Sequence, residues 1–338
     1  MMDRLNSGGF GMHKIKFVRS GLLSWVVLGL LVSDLLAQGY PAKPIRVIDA
    51  YPPGGSTDIV ARLIGPKFQE SQGQPWVIDN RPGAQGIIGT DIVAKAPPDG
   101  YTLLMFTGSH TVHPSIYKNL PYDLVKAFAP VTQTTTTTNV LVVHPSVPAR
   151  TVKELIALAK ARPGGLNFAS GGPGSSTHMA AELFKSMAGI RMTHIPYKGA
   201  APAVMATVGG ETDLVFGSMP AAAPHIRSGR LRALGVSTAK RAIAMPELPT
   251  IAEAGLPGYE STNATGVLAP AGTPREIVAK LQQEIARVLN LPDIRERLLS
   301  LGAEPVGGTP EQFGEFIRTE IAKWAKVVKA TGMELQTW

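Results

Sequence analysis

Short β-branched runs recur along the chain. Each leads through a small polar or glycine turn into apolar residues at helical spacing. The first unit is the clearest. Ile45, Val47 and Ile48 predict a strand, and Pro52 and Pro53 end it. Gly54 and Gly55 admit backbone angles closed to other residues. Ser56 or Thr57 is expected to cap the following helix, with Asp58 in its first turn. Ile59, Val60, Leu63, Ile64 and Phe68 then recur at helical spacing. A strand, a side-chain-poor loop and a helix N-terminus make an anion-binding device, because free N–H groups and the positive dipole end point into the loop. One such loop alone is equally well explained as an ordinary tight connection.

The device recurs. Residues 166–169 read as a strand, residues 170–177 are S-G-G-P-G-S-S-T, and His178 opens a helix with Met179, Leu183, Phe184 and Met187 on its apolar face; Gly189 ends it. Two units, one in each half, suggest two jaws closing on one anion. Other strand ends carry small polar loops: Thr107 to His110 after residues 101–106, Tyr197 after residues 192–196, and Gly217 after residues 214–216. Residues 131–143, rich in threonine and valine, predict an extended strand crossing between domains. Capping boxes open helices at Thr151, Thr273 and Thr309, and the last carries Phe313, Phe316, Ile317, Ile321, Trp324 and Val328 as a core stripe.

Strands alternating with helices argue a parallel α/β architecture, with ligands beyond the C-terminal strand ends. The inferred domains are discontinuous: residues 38–137 and 239–338 form one lobe, and residues 138–238 the other. At 338 residues and 44% hydrophobic, the chain is long enough for both.

Composition narrows the chemistry. The absence of cysteine removes disulfides, thiolate nucleophiles and Cys-ligated metal sites. Residues 1–37 read as an export leader: Lys14, Lys16 and Arg19 precede the apolar run 21–32, and cleavage is expected after Ala37. The run falls short of the roughly 20 residues a membrane span needs. The net charge of +8 becomes +6 without the leader. The basic residues are scattered, so no nucleic-acid surface is expected.

Several alternatives weaken on spacing. Gly83, Gly86 and Gly89 follow G-x-x-G-x-x-G, which is neither nucleotide fingerprint. His110 and His113 lack a nearby acidic partner for a metal. Ser175, Ser176 and His178 suggest a hydrolase, but no G-x-S-x-G elbow is present.

The chain resembles the Bug-type extracytoplasmic solute receptors, the substrate-binding components of tripartite tricarboxylate transporters. The resemblance spans the sequence beyond the leader. It rests on P-P-G-G-S-T-D-I-V-A-R (52–62), D-N-R-P-G-A-Q-G (79–86), A-P-P-D-G-Y-T-L-L (96–104), S-G-G-P-G-S-S-T-H (170–178), H-I-P-Y-K-G (194–199), L-P-T-I-A-E-A-G (248–255) and L-A-P-A-G-T-P (268–274). It implies a periplasmic-binding-protein-like fold, two α/β lobes with a ligand cleft between them. It also implies a small carboxylate ligand, no catalysis, no metal, no cofactor, and delivery by a periplasmic monomer to transporter membrane subunits. A sensory receptor and, less favoured, a Ser/His hydrolase are the alternatives.

The resemblance maps the carboxylate loops to Pro53, Gly54, Gly55, Ser56 and Thr57, and to Ser170, Gly172, Gly174, Ser175, Ser176 and His178. Tyr51, Thr107, Ser109, His110, Tyr197 and Gly217 complete the candidate lining. Two departures stand out. Ala264 lies where family members often carry Trp, and Gly217 where many carry Asp. Both changes are expected to enlarge the pocket and favour a dicarboxylate or bulky aromatic acid over an amino acid.

Overall fold

The computed structural model describes residues 39–333 and 335–337; the expected leader lies outside them. The first lobe opens with β1 (Ile45–Asp49), α1 (Ser56–Gln72), β2 (Trp76–Asn80), α2 (Ile87–Ala94), β3 (Thr102–Thr107) and α3 (Ser109–Ile116). The long β4 (Phe128–Val143) leads to α4 (Val152–Ala161), β5 (Asn167–Ser170), α5 (Ser176–Ala188), β6 (Thr193–Pro196), α6 (Ala200–Val208), β7 (Leu214–Ser218), α7 (Met219–Arg227), β8 (Arg232–Val236) and α8 (Ile251–Ala254). β9 (Thr262–Pro270) returns the chain to α9 (Arg275–Leu289), α10 (Pro292–Ser300), β10 (Ala303–Pro305) and α11 (Pro310–Thr331).

One bent sheet runs β2-β1-β3-β9-β4-β7-β5-β6, with β8 and β10 also on β4. The strands β1–β3 are mutually parallel, as are β5–β7. The expected parallel arrangement holds within each lobe and gives way to antiparallel pairing at the crossing. β9 is antiparallel to β3 and β4, and β7 is antiparallel to β4. The reason is connectivity: β4 carries the chain out of the first lobe and β9 carries it back. The threonine tract is where they pair, with Thr135, Thr136, Thr137 and Thr138 opposite Thr265, Ala264, Asn263 and Thr262. Thr265 shares its hydroxyl with Thr134 and Thr135, each at 2.7 Å, so the hinge is tied by buried hydroxyls.

Each lobe packs helices on both faces of its part of the sheet. In the first, Val47, Leu103 and Val267 face α1 and α9, while Ile48, Phe106 and Leu268 face α3 and α11. In the second, Leu141, Phe168 and Phe216 face α4 and α5, while Val140, Ala169 and Val215 face α6 and α7. Ile251, Leu256 and Tyr259 pack with the second core, past the expected boundary at 238, and the Tyr259 hydroxyl donates to Ala180 O at 2.9 Å. The hydrophobic pattern placed this segment in the first lobe, because its short helix α8 buries one residue, Ile251, and carries little signal of its partner.

Of the three expected capping boxes, Thr309 forms both bonds, and its helix buries Phe313, Ile317, Trp324 and Val328. Thr151 accepts from Glu154 N, but the Glu154 carboxylate accepts from Arg150 N. Thr273 instead donates to Pro270 O, leaving α9 without a side-chain cap. No helix among the described residues is long and apolar enough to cross a membrane.

Candidate functional site

Both glycine loops leave the C-terminal ends of parallel strands, β1 and β5, and enter helices α1 and α5. The loops differ in how they spend their polar groups. Ser56 and Thr57 do not cap α1: its N-cap is Gly55, with no side-chain cap, so the first-turn N–H groups stay open. The loop is instead tied from below. Asp58 accepts from Gly54 N at 3.0 Å, Arg62 Nε at 2.9 Å and Asn80 Nδ2 at 3.2 Å, and these bonds hold its carboxyl below the usual range against the opposing effect of burial. Thr57 donates to Asp49 Oδ1 at 2.9 Å, and Tyr51 N donates to the same oxygen at 3.1 Å. Asp49 Oδ2 is buried without a partner among the described residues, and burial pushes this carboxyl up to about 6. Pro53, Gly54 and Ser56 are exposed, and Gly54 takes the left-handed φ of 84° that glycine permits.

In the second loop the side chains are committed internally. Ser175 caps α5 by accepting from His178 N and donates its hydroxyl to Gly172 O at 2.7 Å. Thr177 accepts from Gly171 N at 2.8 Å. His178 Nδ1 accepts from Gly174 N at 3.1 Å, and its Nε2 faces Glu182 at 3.5 Å. The His178 ring stacks on His194 at 4.0 Å between centroids, and His194 Nε2 meets Ser170 Oγ at 2.6 Å. Ser175 and His178 are therefore framework, with neither a free nucleophile nor a free base. Of the hydroxyls in this loop, that of Ser176 has no partner among the described residues.

The lobes touch across the loops. A Cβ on Gly172 would lie 3.1 Å from Gln85 Nε2, and one on Gly174 would overlap Ile116 Cδ1. Met179 packs in the first-lobe cluster with Val112 and Ile116. Gln85, Val112 and Ile116 were absent from the sequence expectation. Gln85 holds a left-handed φ of 55°, fixed in part by Tyr51, whose hydroxyl donates to Gln85 O at 3.0 Å. Its only sequence signal is the flanking pair Gly83 and Gly86.

Other expected positions lie elsewhere. Residues 107–110 are not a loop: α3 begins at Ser109, and His110 is 0% exposed, stacked on Phe106. Thr90 donates to Gly86 O, so His110 Nε2 donates to Thr90 at 3.0 Å and Nδ1 accepts from Thr107 N at 3.0 Å. Burial lowers this imidazole to about 4. Thr107 donates to Asn263 Oδ1 at 3.2 Å, at the hinge. Ser109 is buried beneath Tyr51, whose ring meets His110 edge-on at 5.8 Å. The Tyr197 hydroxyl turns to Glu211 at 3.2 Å. Gly217 lies inside β7, where a Cβ would come within 2.8 Å of Val204 and 3.3 Å of Ala222. Ala264 is 0% exposed and packs with Phe106 and Leu268. The expected gain of pocket volume at 217 and 264 thus has no support, since both positions face packed core.

The sequence matches the family model described as the tripartite tricarboxylate transporter family receptor over residues 60–333. It is 41% identical over 308 residues to Protein BugT of Bordetella pertussis, covering 90% of this chain and 94% of that protein. Among solved structures it is similar to R. palustris Rpa4515 with adipate, at 40% identity and a TM-score of 0.81, covering 88% of this chain and 100% of that one. The periplasmic binding protein BugD superposes with a TM-score of 0.78 at 32% identity, covering 88% of this chain and 100% of that one. MatC from Rhodopseudomonas palustris with bound malate gives 0.77 at 33% identity, covering 86% and 100%.

Proposed function

This chain belongs to the tripartite tricarboxylate transporter receptor family, and we propose that it captures a small carboxylate between its lobes and delivers it unchanged to a transporter in the membrane. The observation that carries the proposal is the uncapped N-terminus of α1. Its open N–H groups leave the C-terminal end of β1, the same position that the N-terminus of α5 occupies after β5 in the other lobe. Two oriented helix ends with no basic side chain in their loops suit an anion held by main-chain donors, hydroxyls and water. The contacts of Gln85 with Gly172 and of Gly174 with Ile116 supply the closed state such capture needs.

The receptor works as a periplasmic monomer. Residues 1–37 act as its export leader, and the mature chain starts near Gln38. The ligand lining in this reading comprises residues 53–57 and Ser176, with Tyr51 and Gln85 shaping the entrance.

A thermal-shift screen of carboxylates, followed by small-angle scattering, tests the reading. A ligand of the folded state raises the melting midpoint with concentration, and one that selects the closed form reduces the radius of gyration. A chain whose midpoint no carboxylate moves is not a carboxylate receptor.

A further inference from the structure

We infer that the stacked pair His178 and His194 is a proton-operated latch on the second glycine loop: the loop keeps its shape while both rings are neutral, and it loosens and lets the ligand go when the pair takes up a proton. The inference rests on the receptor reading above and adds a regulation to it. The rings come from different elements, His178 from the first turn of α5 and His194 from β6. They lie 4.0 Å apart between centroids, 18° from parallel, and Phe168 of β5 stacks on His194 in turn at 4.9 Å. Both rings hold the loop. His178 Nδ1 accepts from Gly174 N at 3.1 Å. His194 Nε2 bonds Ser170 Oγ at 2.6 Å, and that oxygen accepts from Gly172 N at 3.1 Å. Gly172 and Gly174 are the positions that meet Gln85 and Ile116 of the first lobe, so the state of the rings is passed to the contact between the lobes.

The loop geometry demands neutral rings. A backbone N–H only donates, so His178 Nδ1 must offer a lone pair to Gly174, and the one ring proton sits on Nε2, facing Glu182. A second proton would go on Nδ1, pointing at the Gly174 N–H, and the bond would be lost. A proton on His194 makes both its nitrogens donors, so Ser170 could no longer donate to Nε2. It also sets an imidazolium flat against the His178 ring. Two charged rings at this separation would repel outright.

The surroundings do not absorb the charge. The charged groups facing the pair are Glu182 and Lys185, both on α5, while β5 faces it with the Phe168 ring. Glu182 Oε1 lies 3.5 Å from His178 Nε2 but also accepts from Lys185 Nζ at 2.7 Å. This ammonium already balances the carboxylate, so a proton on the pair is a net positive charge beside groups that are each 4% exposed, His178 and Glu182. His194 is half-buried on the edge strand β6, which gives solvent protons a way in. Burial, and after it the neighbouring His178, lower His194 from 6.5 to about 4. A ring released by an open loop binds its proton more readily. The closed loop is therefore fully favoured above about pH 6.5 and is lost as pH falls towards 4. Full release of His194 to its ordinary value permits a loss of affinity of about thirtyfold between pH 7.5 and pH 5.

Calorimetry with adipate at pH 7.5 and pH 5.0, on wild type, His194→Gln and His178→Asn, tests the latch. Each variant puts a neutral amide where the ring nitrogen bonds the loop. Wild type should lose at least tenfold in affinity between the two pH values. Adipate's own protonation is common to the three proteins, so the wild-type loss should exceed that of a variant by at least threefold. An excess in one variant alone assigns the proton to that ring; a smaller excess in both overturns the inference. Nitrogen-15 NMR of ligand-free wild type needs neither a variant that folds nor a probe that binds. The Gly174 amide signal should move between pH 7.5 and pH 4.5 with the midpoint of the His178 or His194 ring signals. A Gly174 signal that stays in place overturns the inference and leaves the receptor reading intact. A moving signal in a chain that binds no carboxylate supports the latch and overturns the receptor reading.

Discussion

Gly174, in the second lobe's loop, faces Ile116 of the first lobe so closely that a Cβ on the glycine would overlap Ile116 Cδ1, with Val112 Cγ1 at 3.9 Å. Gly54, its counterpart in the first loop, has nothing within 4 Å of such an atom. Both residues hold left-handed φ, 73° and 84°. Alanine should therefore cost each about 1–2 kcal/mol in backbone strain, but only Gly174→Ala also obstructs closure. Calorimetry should find binding weakened about tenfold in Gly54→Ala and considerably more in Gly174→Ala. Equal losses would show that the Gly174–Ile116 contact does not gate closure.

The serines of the second loop should separate stability from binding. Ser175 caps α5, so Ser175→Ala should lower stability by about 0.5–2 kcal/mol and change affinity little. Ser176 is uncommitted, so Ser176→Ala should leave the melting midpoint in place and weaken carboxylate binding about tenfold, the effect of losing about 1.4 kcal/mol. Chemical denaturation and calorimetry on the two variants check this, and reversed effects would mean that Ser175 is the ligand contact.

Asp49 should oppose folding at neutral pH. Its folded pKa, pushed by burial to about 6, lies above the ordinary aspartate value of 3.8, so the folded state holds the proton more tightly than the unfolded chain. The resulting penalty is absent below about pH 4, grows through pH 6 and is complete above it. Asp49→Asn keeps an oxygen for Tyr51 N and the Thr57 hydroxyl. It should stabilise the protein by about 1–3 kcal/mol at pH 7.5 and by nothing at pH 4. Urea denaturation at both pH values checks the prediction; a gain that persists at pH 4 would show that packing, and not ionisation, is responsible.

Four histidines, His110, His113, His194 and His225, act in the other direction. Burial lowers both His110 and His194 to about 4 from 6.5, with the neighbouring His178 also lowering His194. The unfolded chain binds these protons first, so the stability they contribute is complete above about pH 6.5 and is lost as pH falls towards 4. Four histidines against one raised aspartate should make the melting midpoint fall across this window, and His194→Gln should flatten the slope. Scanning calorimetry between pH 7 and pH 4 measures it, and a midpoint that rises on acidification would contradict the assignment.

The sequence by itself determined the local units. The β-branched runs, the Gly54–Gly55 and 171–174 turns, the Thr309 capping box and the stripe from Phe313 to Val328 each act through neighbours a few residues apart, and each forms as read. Seven motifs taken together, from residues 52–62 to 268–274, suggested the family. Tertiary structure decided whatever depends on partners distant in sequence. His110 looks like a site residue in a short polar stretch, but the Phe106 ring and the Thr90 hydroxyl take it into the core. Gly217 reads as a loop and is a packing position against Val204. Gln85 is marked in the sequence only by its flanking Gly83 and Gly86, because only lobe closure brings Gly172 to it. Asn139 is one polar residue at the end of a threonine run. Its backbone pairs with Ser237, 98 residues away, because β4 crosses between the lobes.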